Sequence, residues 1–190
     1  MKILKILSFL AFTLIFLQAT AQTEAPKGFS RGKIILPDNS VVSGLIKDNI
    51  RKDASVVLLS GGTEKNYSGA DLISAEIDAV SFICIRGDFF KVVCSGELSF
   101  LQKSSNASSK PSYNGTEVSF ISGTEGKPGD YFIYDNRTRQ LKLVSKKNLD
   151  TLIAGTFSGY TPAVDKAKAA QGNIAQLKEA VEVYNNRNGK

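Results

Sequence analysis

Ser81-Phe82-Ile83-Cys84-Ile85-Arg86-Gly87-Asp88-Phe89-Phe90-Lys91-Val92-Val93-Cys94 decides the reading of the fold. Two runs rich in β-branched and aromatic residues flank a Gly-Asp pair, which is the pattern of two antiparallel strands joined by a tight turn. With Gly87-Asp88 as a two-residue turn, Arg86 faces Phe89, Cys84 opposes Lys91 and Cys94 opposes Ser81. Side chains alternate between the faces of a strand, so the two sulfurs fall on opposite faces. A Cys84–Cys94 disulfide therefore needs an odd loop or a bulge, and the expectation is two half-buried free thiols, each packed as a small hydrophobe.

The same punctuation extends in both directions. Upstream, Gly32 to Leu36 and Val41 to Lys47 flank Pro37-Asp38-Asn39-Ser40, and Ser55 to Leu59 and Glu64 to Tyr67 flank Gly61-Gly62. Ile73 to Ile77 alternates. Downstream come Glu97 to Gln102, Glu117 to Ile121, and a hairpin of Tyr131 to Tyr134 with Gln140 to Val144. Lys103 to Gly115 is rich in Ser, Asn and Lys and reads as a long polar surface loop. After Val144 the period changes. Helices are predicted at about 148–154, 162–170 and 174–185, the last carrying Ile174, Leu177, Val181 and Tyr184 as one apolar stripe that docks on the domain's own sheet. Strands first and helices last predict an α+β fold. It is mainly antiparallel β, a meander or partly closed barrel, with C-terminal helices packed on one face.

The first residues read as an address. Lys2 and Lys5 precede an apolar run from Ile6 to Leu17, and Ala19-Thr20-Ala21 supplies small residues at the cleavage positions. That is the pattern of a secretory signal peptide over 1–21, cut between Ala21 and Gln22. The run falls short of the ~20 residues that a membrane-spanning helix needs, so no span is expected after cleavage. A flexible lead-in over 22–30 then precedes a single domain over 31–190. The leader holds two Lys and no acid, so its loss takes the net charge from +6 to +4. So small an excess does not indicate a nucleic-acid surface.

Chemistry is sparse. The chain has no His, which excludes His-based nucleophile pairs and His metal ligands. Ser30 and Lys33 have Ser-x-x-Lys spacing but stand before a β-branched run instead of at a helix start. Glu76 and Asp78, two apart in an expected strand, are the best carboxylate pair for glycoside hydrolysis. Arg86-Gly87-Asp88 spells an integrin-type tripeptide yet reads more simply as the hairpin turn. No phosphate loop or metal-ligand cluster is present, so no cofactor is expected. Phe89, Tyr131 and Tyr134 are the candidate ligand-binding residues, as an exposed aromatic sheet face beside the Lys103–Gly115 loop.

Several features taken in order resemble a group of uncharacterised exported β-rich proteins of Gram-negative bacteria. They are the leader ending Ala-Thr-Ala-Gln, the Gly32-to-Gly44 hairpin running into Leu45-Ile46-Lys47, and Lys65-Asn66-Tyr67-Ser68 leading to Asp71-Leu72. Phe89-Phe90-Lys91-Val92 with Gly96-Glu97-Leu98 and the terminal Val183-Tyr184-Asn185 complete the set. The resemblance implies a periplasmic, outer-membrane-associated or secreted location and carries no catalytic residues. The expected function is a non-enzymatic binding or scaffolding domain that meets an envelope protein or glycan. The alternatives are a His-free carboxylate-dependent hydrolase acting on glycans and a structural or adhesin-like subunit.

Overall fold

The computed structural model describes residues 25–107, 111–114, 117–120 and 123–188. The signal-peptide reading of 1–21 and its cleavage site lie outside them. Ten strands form one antiparallel sheet: β1 (Phe29–Ile35), β2 (Val41–Asn49), β3 (Ser55–Ser60), β4 (Thr63–Ser68), β5 (Ser74–Ile77), β6 (Val80–Ile85), β7 (Asp88–Cys94), β8 (Leu98–Lys103), β11 (Tyr131–Asp135) and β12 (Gln140–Val144). β9 (Pro111–Asn114) and β10 (Glu117–Phe120) pair separately as a hairpin inserted between β8 and β11. α1 (Ile50–Asp53) is a single turn, and α2 (Leu149–Thr156), α3 (Thr161–Ala169) and α4 (Leu177–Asn185) close the chain. The α+β class and the C-terminal helices are as the sequence predicts.

The order across the sheet is β12-β11-β8-β7-β6-β5-β1-β2-β3-β4. It is a meander with one departure: the chain leaves the edge strand β4 and returns beside β1. The sheet is open, so of the two expected forms the meander is realised and the partly closed barrel is not. It curls far enough for Gly69, just past β4, to form a lone bridge with Gly87 in the β6–β7 turn. A Cβ on Gly69 would sit 2.1 Å from the Gly87 carbonyl oxygen, so only glycine admits this approach. Among the described residues no ladder joins β4 to β7, and both sheet edges are free of partner strands.

Turn chemistry sets the register, and it corrects the central hairpin. Arg86 (φ 51°) and Gly87 (φ 83°) are the two left-handed turn residues, and Ile85 pairs with Asp88. A type I′ turn needs positive φ at both central positions, and Asp88 is held in β7 by contacts described below. Cys84 therefore opposes Phe89 instead of Lys91. The partner of each residue moves by two positions, which leaves the Cys84 face unchanged, but a bulge between Val92 and Cys94 turns Cys94 to the Phe100 side, so the two thiols lie on the same sheet face and not on opposite ones. Asp78 (φ 47°) and Ala79 (φ 64°) form a similar turn between β5 and β6. The lead-in is also shorter than predicted, because Phe29 and Ser30 already pair with Lys47 and Ile46.

Three apolar clusters follow from the alternation. Phe100 and Ile133 of the sheet meet Leu152, Phe157, Ala163, Leu177, Ala180 and Val181 of the helices. The stripe read from the last helix docks on the sheet as predicted, with Leu177 and Val181 buried and Ile174 and Tyr184 half-buried, although its first turn, Ile174–Gln176, is 3-10. Asn185 fixes that helix to β8, accepting from the Leu98 N–H and donating to the Leu98 carbonyl, both at 2.9 Å. A second cluster fills the curl, with Ile34, Ile46, Val56 and Leu58 against Phe82 and Phe89. The third, Phe90, Leu101 and Phe132, lies on the sheet face opposite the helices, with the Phe90 and Phe132 rings edge to face at 5.2 Å.

Cys84 belongs to the curl cluster and Cys94 to the helix cluster, and both thiols are free. Burial pushes the Cys84 thiol up to about 12 and raises Cys94 less. Only the thiolate is nucleophilic, and at pH 8 roughly one Cys84 in ten thousand is ionised. Iodoacetamide at pH 8 should leave Cys84 unmodified in the native protein over hours and label it within minutes in 6 M guanidinium, as read by peptide mass mapping. Equal labelling rates in the two states would refute the buried placement.

Candidate functional site

The expected aromatic face does not form. Phe89 is fully buried in the curl cluster. Tyr131 is half-buried and stacks on Phe100 (centroids 5.1 Å apart, 6° between planes) inside the helix cluster. Tyr134 lies on the opposite face, against Phe90 and Phe132. A ten-stranded sheet with apolar cover on both faces consumes its aromatics in packing, so the three residues share no surface.

The carboxylate pair separates too. Glu76 lies in β5 and is ion-paired to Lys33 at 3.1 Å, whereas Asp78 sits in the β5–β6 turn with its backbone left-handed. They do not share a strand face. Ser30 and Lys33 fall on opposite faces of β1. The Arg86-Gly87-Asp88 tripeptide is not presented as a unit, because the Asp88 side chain is fully buried.

Asp88 is the most constrained polar residue described here, and sequence reasoning placed it on a turn. Its carboxylate lies 3.0 Å from the Lys103 ammonium, and neither side chain is exposed at all. Lys103 Nζ also donates to the carbonyl oxygens of Thr124 (2.7 Å), Glu125 (3.2 Å) and Gly126 (3.2 Å). Asp88 accepts from the Ala107 N–H (2.6 Å), and from the Thr124 N–H and hydroxyl (2.7 Å each). Ser105 Oγ contacts Asp88 and accepts from the Phe89 N–H at 2.8 Å. A buried charge pair is tolerable only when its remaining donors and acceptors are met, and here they are. The pair ties the segments around 104–107 and 123–126 to β7 and β8. This corrects the polar-loop reading at its start, since Lys103, Ser105 and Ala107 are buried. No local signal marks the pair, because Lys103 merely opens a polar run.

One cleft, of about 350 Å³, lies beside Lys91, Gln102 and Lys103, and a small one lies between the last two helices; three others border β12. One, of about 150 Å³, lies between the sheet and the helices, with Glu97, Asp135, Lys142 and Tyr184 on its wall. Arg187 pairs with Glu97 and lies over the Tyr184 ring, 3.8 Å from its centroid. Hydrogen bonds from the backbone of Thr138 and Arg137 hold Asp135 below the ordinary carboxylate range. The Thr156 hydroxyl, on the wall of the same cleft, is buried without a partner among the described residues. A second cleft, of about 500 Å³, is apolar and runs between Leu141 and Leu143 of β12 and Leu152 of α2. A third, of about 540 Å³, carries Arg86, Arg139 and Lys142 around Ile85 and Leu141, with Thr124 and Glu125 on its rim. Lys142 borders all three.

The free edge of β12 is itself guarded. The strand is five residues long and exposes Lys142, and Asn148 Nδ2 donates to the Leu143 carbonyl at 2.7 Å. Short length, charge and capping are the means by which edge strands avoid pairing with other chains. From Arg137 to Lys147 the sequence carries five cations and no acid, so this edge segment is positive.

No protein-family model, curated protein or solved structure matches this chain. Among the described residues, no group of three or more His, Cys, Asp or Glu is placed to hold a metal, and no helix is long and apolar enough to cross a membrane.

Proposed function

We propose that this chain is an exported cell-envelope protein with a non-enzymatic binding or scaffolding role, and that its binding surface is the β11–β12 end of the sheet. The observation that carries the location is the convergence of three clefts on β12, one mixed in charge, one apolar and one cationic. Ligand sites are concave and combine apolar walls with a few placed polar groups, and this end offers that combination. The partner is an envelope protein or glycan.

Hydrogen exchange tests the reading. Incubation with a cell-envelope extract, separated into protein and glycan fractions, should slow amide exchange across 140–156 at least threefold with one fraction. Thr63–Ser68, at the far edge of the sheet, should be unaffected. Protection confined to that far edge, or none with either fraction, would overturn the location.

A further inference from the structure

The cleft bounded by Arg86, Arg139 and Lys142 has a charge pattern its own walls do not balance. Three exposed basic residues and one carboxylate, Glu125, border it, and none of the three is in an ion pair among the described residues. Like charges around one concavity give it a positive potential that favours an anion there. The two arginines are also held in costly backbone positions. Arg86 (φ 51°) and Arg139 (φ 57°) are both left-handed, at the ends of two different hairpins. Gly, Asn or Asp would suit such positions better. Strain accepted at two turns that border the same cleft points to use of the side chains. The buried Asp88–Lys103 pair fixes the opposite rim, because it holds Thr124 and the carbonyl of Glu125 in place.

We infer that this cleft is an oxyanion site that receives a phosphate or sulfate group. Guanidinium groups present planar forks of donors matched to such oxygens, Ile85 and Leu141 give an apolar wall for whatever carries the anion, and Lys142, paired with Ile133 at the β12 edge, adds charge from beside the cleft. The inference rests on the proposed binding surface and names its ligand chemistry. The charges do more here than guard the β12 edge, because Arg86 belongs to a different hairpin, several strands away across the sheet.

The test is an NMR titration of the arginine Nε–Hε signals with sodium phosphate at constant ionic strength. Arg86 and Arg139 should shift and saturate while Arg51 stays still. The triple variant Arg86→Gln/Arg139→Gln/Lys142→Gln should weaken phosphate binding about tenfold or more. A variant with the same change of charge, Lys27→Gln/Arg51→Gln/Lys52→Gln, should keep it. Heparin and phosphatidylglycerol vesicles form the second arm: tighter binding of either, lost in the site variant, shows whether a sulfated glycan or a lipid headgroup carries the anion. If neither is tighter than phosphate, the free oxyanion is the ligand. Shifts that never saturate, or equal weakening in both triple variants, overturn the site. Protection of 140–156 in the exchange experiment without any phosphate response would remove the oxyanion site and leave the binding surface standing.

Discussion

Asp88→Ala should lower the unfolding free energy by about 3–5 kcal/mol, the range for breaking a fully buried ion pair from one side. For a domain of this size each kcal/mol moves the melting temperature by about 2–4 °C, so thermal melts followed by far-UV circular dichroism should shift down by roughly 6–20 °C. The mechanism is specific. With the carboxylate gone, the Lys103 ammonium stays buried beside three carbonyl oxygens but without its counter-charge. The Ala107 and Thr124 N–H groups lose their acceptor as well. Buried ion pairs in general can often be replaced by apolar residues at little cost. Here the double change Asp88→Leu/Lys103→Met should still leave the protein at least ~2 kcal/mol less stable than wild type, because backbone donors and acceptors of two loops remain unmet. A loss under about 1 kcal/mol for Asp88→Ala would show that water reaches the pair.

Phe100→Ala should cost about 3–5 kcal/mol, as buried aromatic truncations do. Phe100 is fully buried, stacks on Tyr131 and belongs to the cluster that seats the helices. The void would open at the contact between β8 and the helical layer, so the helices should exchange their amides faster than the β2–β3 hairpin does. Urea unfolding measures the energy, and exchange mapping locates it. A small loss with uniform exchange would mean that the helices are held chiefly by other contacts, with the Asn185 clamp on Leu98 the first to examine.

Much of the fold was legible because its determinants are local. Gly61-Gly62 and Pro37-Asp38-Asn39-Ser40 mark their turns by backbone chemistry alone, and the bounding strands follow from β-branched runs. Leu177, Ala180 and Val181 announce a buried helix face by spacing. The hairpin at Arg86-Gly87 shows the limit: two adjacent turn registers were compatible with the sequence, and the buried role of Asp88 selects between them. The candidate site was not legible at all. Phe89, Tyr131 and Tyr134 are aromatics in strands, a pattern that reads the same whether the strand face is solvent or core. Which it is depends on where the helices and the inserted loops land.

By itself, the sequence determined strands before helices and the absence of histidine chemistry. Each depends on residues near one another in the chain or on composition. The tertiary structure alone decided that the sheet stays open, that Phe89 is core, and that Asp88 meets Lys103. It also brought Arg86 to the same cleft as Arg139 and Lys142. Those are long-range meetings, and their energies come from desolvation and charge at sites assembled from separate segments, so no window of sequence encodes them.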